Sequence, residues 1–298
     1  MKKHTHLMVL VACMLAGTSV SAQLNPLAAQ YFNNPYLGNP AHAGIDGGLD
    51  ISMAYRRLWS GVPGTPEVQN LTATYGYRRT GIGLNVNFDK AGLQRQTRIV
   101  GSYAYHLPLG GRGQALHFGV SLGAMNQRLS NGDISGSPDD PLAQQYNQRE
   151  TYVDGDFGMA YTTERLKLEA SLPNLNSLLK RSEIKLADVP TFYAAASYQL
   201  VLMDQLDGVV LEPKVAYRGV KGFDNILDVG ANFSFADRQV LLMGMYHSSK
   251  SASFGVGLNY KRKYLLSGAY TTQTSALSSY TNGSFELGLK LYLARNGK

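Results

Sequence analysis

The side chains that carry acid–base and nucleophilic chemistry are few and scattered in this sequence. Beyond residue 22, the histidines are His42, His106, His117 and His247. A hydrolytic site requires Ser, His and a carboxylate or amide that converge on one point. Ser121 shares a predicted strand face with His117, but a spacing of four residues along a strand corresponds to roughly 13 Å. We therefore predict no catalytic residue, no enzymatic activity and no bound cofactor.

Carboxylates are concentrated in one polar stretch near the middle of the chain. The members of this group are Asp133, Asp139, Asp140, Asp154 and Asp156. Hard oxygen ligands suit Ca²⁺, so a calcium site in an external loop is one interpretation. The spacing does not fit an EF-hand, which needs regularly placed ligands and a Glu at its twelfth position. We favour a solvated loop and assign no metal ligand.

Basic side chains are placed in short predicted turns. The formal net charge is +7, and Lys2 and Lys3 contribute to it at the N-terminal end. The run Lys261–Lys263 and the pair Arg78–Arg79 both fall between predicted strands. A basic rim suits an acidic protein partner or anionic lipid head groups. No motif and no basic-aromatic stripe points to nucleic acid.

The first 22 residues have the layout of a secretory signal peptide. Two lysines precede an apolar stretch from Leu7 to Gly17, and small residues end at Ala22, which predicts cleavage after that residue. The alternative is a lipoprotein box over Leu10–Cys13, with lipid attached to Cys13. Cleavage after Ala22 would remove the only cysteine, leaving no disulfide.

The rest of the chain alternates apolar and small or polar residues. In "GIGLNVNF", Ile82 and Leu84 point to one side while Gly83 and Asn85 point to the other. Charged residues make up only 16%, and there are 32 Gly and 19 Tyr. No later apolar run approaches the length of a membrane helix. This pattern is typical of an all-β, antiparallel outer-membrane β-barrel. A soluble β-sandwich is the alternative.

The alternation predicts about fourteen strands, an even number as bacterial barrels require. Connections after even-numbered strands are mostly short, and those after odd-numbered strands are often long. Since such barrels have short periplasmic turns, we predict periplasmic N- and C-termini. The predicted strands are 49–57, 67–78, 81–89, 94–107, 115–128, 151–162, 166–172, 190–202, 208–218, 226–235, 238–247, 251–260, 264–273 and 282–293.

The stretch "NNPYLGNPAHAG", Asn33–Gly44, lies between the leader and the first strand. Pro35 and Pro40 oppose regular strand pairing, whereas Gly44 permits a tight turn. Asn side chains satisfy local backbone groups. We predict that residues 23–48 form a compact segment at the periplasmic mouth or inside the lumen, and that residues 49–298 form the barrel.

Several segments resemble one known family. The motif "NPAHAG" (Asn39–Gly44), "RRLWSGVPGTP" (Arg56–Pro66), "GIGLNVNFDKAGL" (Gly81–Leu93) and "GSFELGL" (Gly283–Leu289) are similar, in this order, to segments of the PorP/SprF family. Its members are outer-membrane proteins of the type IX secretion and gliding system of Bacteroidota. The resemblance spans nearly the whole chain after residue 22.

The resemblance implies a non-enzymatic component of a secretion machine. The expected partners are periplasmic ring and lipoprotein components, secreted cargo with a C-terminal signal domain, and outer-membrane lipid. Trp59, the only Trp, lies in the first predicted outside loop, where it either anchors the loop at the membrane interface or meets cargo. A porin-like channel for small solutes is the alternative function. The partner-binding hypothesis names Asn39, Pro40, Gly44, Trp59, Arg79, Arg112, Lys261, Arg262 and Lys263.

Overall fold

A computed structural model describes most of the chain after residue 28. The described ranges are 29–58, 64–111, 113–130, 151–176, 190–203, 208–220, 225–272 and 282–293. A one-turn helix α1, Gln30–Asn33, is followed by two 3-10 turns at Pro35–Leu37 and Pro40–His42. No helix in these ranges is long and apolar enough to cross a membrane.

Strands form nearly all of the remaining described chain. They are β1 Gly48–Arg57, β2 Glu67–Tyr77, β3 Thr80–Ala91, β4 Gln94–Pro108, β5 Ala115–Leu129, β6 Tyr152–Thr162, β7 Leu166–Leu172, β8 Pro190–Tyr198, β9 Leu200–Met203, β10 Val209–Val220, β11 Ile226–Phe235, β12 Val240–His247, β13 Ser251–Tyr260, β14 Tyr264–Thr271 and β15 Ser284–Leu293. Most bounds lie within two residues of the predicted ones, because the alternation of side chains marks each strand directly.

The strands close into one antiparallel barrel. Consecutive strands pair, except that β8 and β9 both pair with β10, and β15 pairs with β1 from Leu49↔Leu293 to Arg57↔Phe285. The sheet contains fifteen strands, but β8 and β9 occupy one strand position beside β10 and are separated only by Gln199. The barrel therefore has fourteen strand positions around its circumference. The predicted barrel of about fourteen strands is therefore confirmed. The single predicted strand 190–202 is corrected to two segments, which pair with β10 in one register on either side of Gln199, from Lys214↔Ser197 to Leu211↔Leu200.

The barrel is apolar on its outside and polar on its inside. Leu122 is 69% exposed and Ile82 is 56% exposed on the outer face. Their neighbours Ser121 and Gly81 are buried on the inner face. A soluble sandwich would bury its apolar face, whereas this arrangement places that face in lipid.

The two ends of the barrel differ. We call the edge formed by the short connections 78–79, 109–114, 163–165, 236–239 and 261–263 the turn rim, and the opposite edge the loop rim. Tyr77, Tyr260 and Tyr264 are 57%, 62% and 47% exposed next to the turn rim. Tyr at this position is typical of an interfacial aromatic girdle. The short turns use left-handed backbone conformations, with φ +56° at Arg78 and +55° at Arg262.

Candidate functional site

The segment Ala29–Gly47 lies inside the barrel, and we call it the plug. Tyr31 and Ala29 are each 2% exposed, and Ala41 and Ala43 are fully buried. The plug contacts inward-facing side chains on strands around the whole circumference. A barrel of this size encloses a lumen wider than its own side chains fill. The plug occupies much of that space.

The plug crosses the lumen from one end to the other. Near the loop rim, Gln30 Nε2 donates to Glu286 Oε1 at 2.8 Å, and the Tyr31 hydroxyl donates to Asp228. Near the turn rim, the carbonyl oxygen of Ala43 lies 3.1 Å from His106 Nε2. The chain therefore enters β1 at the turn rim after traversing most of the barrel's height.

Asn39, the first residue of the "NPAHAG" motif, attaches the plug to the barrel wall through hydrogen bonds. Its Nδ2 donates to the carbonyl oxygens of Met159 and Ala170 at 3.0 and 3.3 Å. These two residues pair across β6 and β7. Its Oδ1 accepts from Ala41 N at 2.9 Å and begins the second 3-10 turn. Because the side chain is fully buried, both ends of the amide need these partners.

The rest of the motif packs against three glycines on the inner face of the barrel wall, Gly76, Gly81 and Gly119, which we call the glycine track. A Cβ at Gly119 would lie 2.3 Å from Ala41 N, and one at Gly81 would lie 1.9 Å from Ala43 O. A Cβ at Gly76 would meet the carbonyl oxygen of Gly44 at 1.9 Å. These approaches are backbone to backbone, so any side chain would displace the plug. The small inward-facing residues predicted from the alternation therefore leave the space in which the backbone of the motif packs.

A buried ion pair and its hydrogen bonds hold the middle of the plug. His42 Nε2 donates to Glu169 Oε2 at 2.6 Å, and Lys214 Nζ donates to Glu169 Oε1 at 2.7 Å. Lys214 also donates to the carbonyl oxygen of Tyr31 at 3.1 Å. The carboxylate is thus shared between a wall lysine and a plug histidine. Burial of a charge is costly unless it is paired in this way.

Tyr36 adds a neutral contact in the same region. Its hydroxyl oxygen lies 2.7 Å from Ser102 Oγ, which in turn lies 2.7 Å from Ser121 Oγ. Burial raises the pKa of the Tyr36 phenol to about 12, so the group remains an uncharged hydroxyl. The ring covers Gly83, where a Cβ would lie 2.5 Å from it.

Asp228, His247 and Ser253 form a hydrogen-bonded row that the sequence analysis did not predict. His247 Nδ1 lies 2.6 Å from Asp228 Oδ1, and His247 Nε2 lies 2.9 Å from Ser253 Oγ. The order of groups is that of a catalytic triad. All three side chains are fully buried, however, and Ser253 Oγ is also 2.8 Å from Thr271 Oγ1. A substrate cannot reach this hydroxyl, so the row acts as support for Tyr31, which bonds Asp228.

Two other predicted groupings are corrected by the register of the strands. His117 was considered with Ser121, but it is paired with His106 across β4 and β5, and the Nδ1 atoms of the two histidines lie 2.8 Å apart. Asp154 and Asp156 were placed in a solvated loop, for which a calcium site was one interpretation. Both lie on β6 and accept from Arg98 at 2.9 and 2.7 Å. The other three carboxylates of that group lie outside the described residues.

A polar cavity remains beside the plug at the turn rim, and we call it the vestibule. Its volume is about 610 Å³. Phe32 and Ile45 of the plug form one side, and Glu212 and Asn259 belong to the opposite wall. Arg262 and other side chains of the turn rim also line it, so the cavity is polar and reaches that rim.

The predicted partner-binding residues divide into two groups. Asn39, Pro40 and Gly44 are buried against the wall, where they hold the plug. The turn-rim residues Arg79, Lys261, Arg262 and Lys263 are exposed, and Arg262 pairs with Asp237. Trp59 and Arg112 lie outside the described residues. Among the described members of this set, the turn-rim residues are the ones with exposed side chains.

The sequence also matches a family model described as type IX secretion system membrane protein PorP/SprF, over residues 20–291. The chain belongs to the PorP/SprF family. The resemblance inferred from its motifs is thereby confirmed, and membership indicates a membrane component of type IX secretion. No curated protein matches the chain in sequence.

Solved structures similar to this PorP/SprF member support the fold. The outer membrane protein Omp33 of Acinetobacter baumannii superposes with a TM-score of 0.50 and 7% identity, covering 83% of this chain and 98% of that chain. The CymD monoaromatic hydrocarbon channel superposes with a TM-score of 0.53 and 12% identity, covering 92% and 96%. At these identities the likeness establishes an outer-membrane-type barrel and nothing of its activity.

Proposed function

We propose that this PorP/SprF member is a closed docking component of the type IX machine, which supports export or surface attachment of cargo. The observation that supports this most is the plug, whose buried contacts fill part of the lumen. A permeation channel needs a continuous polar path, and here Asn39 and its neighbours are packed directly against the wall. The alternative function, a porin-like channel, is supported only by the vestibule.

The exposed basic residues of the turn rim supply the docking surface. Lys261 lies over the Tyr260 ring at 5.1 Å from its centroid, and Arg78 lies over Tyr77 at the same distance. The rings sit at the membrane interface, so they hold these cations at the mouth of the barrel. An acidic surface on a periplasmic component of the machine fits this rim by charge.

The orientation of the barrel is open to a direct test. We expect a cysteine that replaces Lys250, exposed at the loop rim, to react with an impermeant thiol reagent on intact cells. A cysteine that replaces Gly111, at the turn rim, should react only after the outer membrane is permeabilised. A Cβ at Gly111 meets nothing within 4 Å, so the second variant introduces no clash. The reverse labelling pattern would place the turn rim at the cell surface.

Charge reversal at the turn rim should weaken docking. In the variant with Lys261→Glu and Lys263→Glu, we expect recovery of periplasmic machine components with the purified barrel to fall about tenfold or more, since close interfacial charges contribute more than 1.4 kcal/mol together. Surface display of cargo should fall in parallel. Lys250→Glu, which makes a similar change at the loop rim, is the control. Equal recovery from all three proteins would contradict docking through this rim.

A further inference from the structure

Five charged side chains form one row across β1 to β5 at the loop rim. The register pairs Arg57 with Glu67, Glu67 with Lys90, Lys90 with Arg95, and Arg95 with Arg128. Because side chains alternate along a strand, all five share the outward faces of their strands with the exposed apolar residues. Arg57 and Arg128 are exposed, and the other three are half-buried. We call these five residues the basic row.

Three cations of the basic row, Lys90, Arg95 and Arg128, follow one another with no carboxylate between them. Directly opposed residues of antiparallel strands have Cβ atoms about 4.5–5.5 Å apart, and like charges at these positions destabilise the sheet. The adjacent carboxylates are Glu67, on the other side of Lys90, and Asp89, on the inward face of β3. Four cations against these two carboxylates leave an excess of two positive charges. An external anion that contacts two of the cations would relieve their repulsion.

Two guanidinium groups of the basic row are oriented by hydrogen bonds within the protein. Arg57 Nε donates to Thr65 Oγ1 at 3.4 Å, and Arg95 Nη1 donates to the carbonyl oxygen of Gly92 at 2.9 Å. A side chain that is already ordered loses less conformational entropy when a ligand binds to it. These bonds therefore favour recognition of an anion at this position.

The lipid-facing surface begins just below the basic row. Tyr55 and Phe88 are exposed two residues along their strands from the row, and rings at this level mark the membrane interface. Met53, Leu71 and Ile99 form the exposed apolar row beyond them. Since two residues of a strand span about 7 Å, the cations lie at the level of the lipid head groups and the apolar row lies among the acyl chains.

The basic row occupies one side of the barrel. The strands β11 to β15 are described along their whole length, and their outward-facing residues are all uncharged. Near the loop rim these strands present exposed rings, such as those of Tyr246 and Phe285, where β1 to β5 present cations. A general attraction to head groups would be served by cations all around the rim. The one-sided placement therefore indicates a localised binding site.

We propose that the basic row binds the phosphate groups of an anionic lipid whose acyl chains lie on the apolar surface of β1 to β5. Guanidinium groups bind phosphate through paired N–H donors, and clustered basic residues at a membrane surface attract anionic head groups. The inference rests on the proposed function in one respect, because the proposed orientation places the loop rim in the outer leaflet. The ligand is therefore a phosphorylated glycolipid of that leaflet.

Native mass spectrometry of the purified protein in neutral detergent tests the inference, with diphosphorylated lipid A as the probe. In the variant with Lys90→Gln and Arg128→Gln, the affinity for this lipid should fall about thirtyfold, because two cations near the head group are lost. Within the described chain, neither side chain has a hydrogen bond or an ion pair, so the variant should remain a heat-modifiable barrel. The control, Lys261→Gln with Lys263→Gln, removes the same charge at the turn rim and should leave the affinity unchanged.

Equal affinity of the two double variants for lipid A would overturn the proposal. Equal binding of dephosphorylated lipid A would show that acyl chains alone are bound, and displacement of lipid A by an equal concentration of inorganic phosphate would assign the cations to a free anion. Tighter binding of phosphatidylglycerol than of lipid A would overturn the choice of leaflet. The assay contains no periplasmic component, so its failure would leave docking intact, and failure of docking through the turn rim would leave this site intact.

Discussion

Deletion of Asn33–Gly44 will convert a closed barrel into one that conducts ions steadily across a planar bilayer. These residues contain the motif seated on the glycine track, and their removal also draws Tyr31 away from Asp228, because the remaining chain cannot cross the lumen. The exposed wall carries charged groups such as Glu169 and Lys214, which hydrate readily once the plug is gone. A water-filled, polar lumen enclosed by fourteen strands conducts ions.

The barrel itself should survive this deletion. The ladder from β15 to β1 closes without any plug residue, and the buried pair of Arg218 and Asp228 lies wholly in the wall. If the plug orders the residues of the turn rim, the display of cargo on the cell surface should also fall in the deletion variant. Tyr36→Phe is the matched control, because it removes one hydroxyl contact and keeps the lumen filled, so this protein should stay closed. Steady conductance by the intact purified protein would replace the docking proposal with the porin alternative.

The strands could be predicted from sequence because each one repeats a simple physical rule. A barrel wall between lipid and a polar lumen imposes alternation at every position, so β7 and β13 were predicted with their observed bounds. The break at Gln199 was missed, since "YQLVL" reads as one alternating or apolar run. The register against β10 is the same on both sides of this residue, from Lys214↔Ser197 to Leu211↔Leu200, so the alternation carries no sign of the break.

The contacts inside the lumen could not be predicted in the same way. His42 and Glu169 are far apart in sequence, and they meet only when the barrel closes and the plug enters it. The His106 and His117 pair was accessible in principle, because a hairpin register fixes which residues face each other. The conformational features of the motif were readable from its composition: Pro40 begins a 3-10 turn, Asn39 caps it, and Gly44 adopts φ +66°.

Gly119→Ala should loosen the plug through a single methyl group. The new Cβ would lie 2.3 Å from Ala41 N and from the carbonyl carbon of Pro40, both of which are main-chain atoms. Overpacking of this kind costs about 1–3 kcal/mol. That energy shifts the equilibrium between the bound and the displaced plug by about five- to 140-fold. We therefore expect intermittent channel openings in planar bilayers, less frequent than in the deletion variant.

Gly101→Ala is the matched control for this substitution, because Gly101 lies on the neighbouring strand and faces outward. A Cβ there meets no atom closer than 3.9 Å, so this protein should remain closed. The decisive comparison places Gly119→Ala in the protein that lacks Asn33–Gly44. If the methyl group acts only by colliding with the plug, it has nothing left to displace, and the conductance of the double variant should equal that of the deletion alone. A further change in conductance or in thermal stability would mean that Gly119 is required by the wall itself, and the glycine track would then be a feature of strand packing.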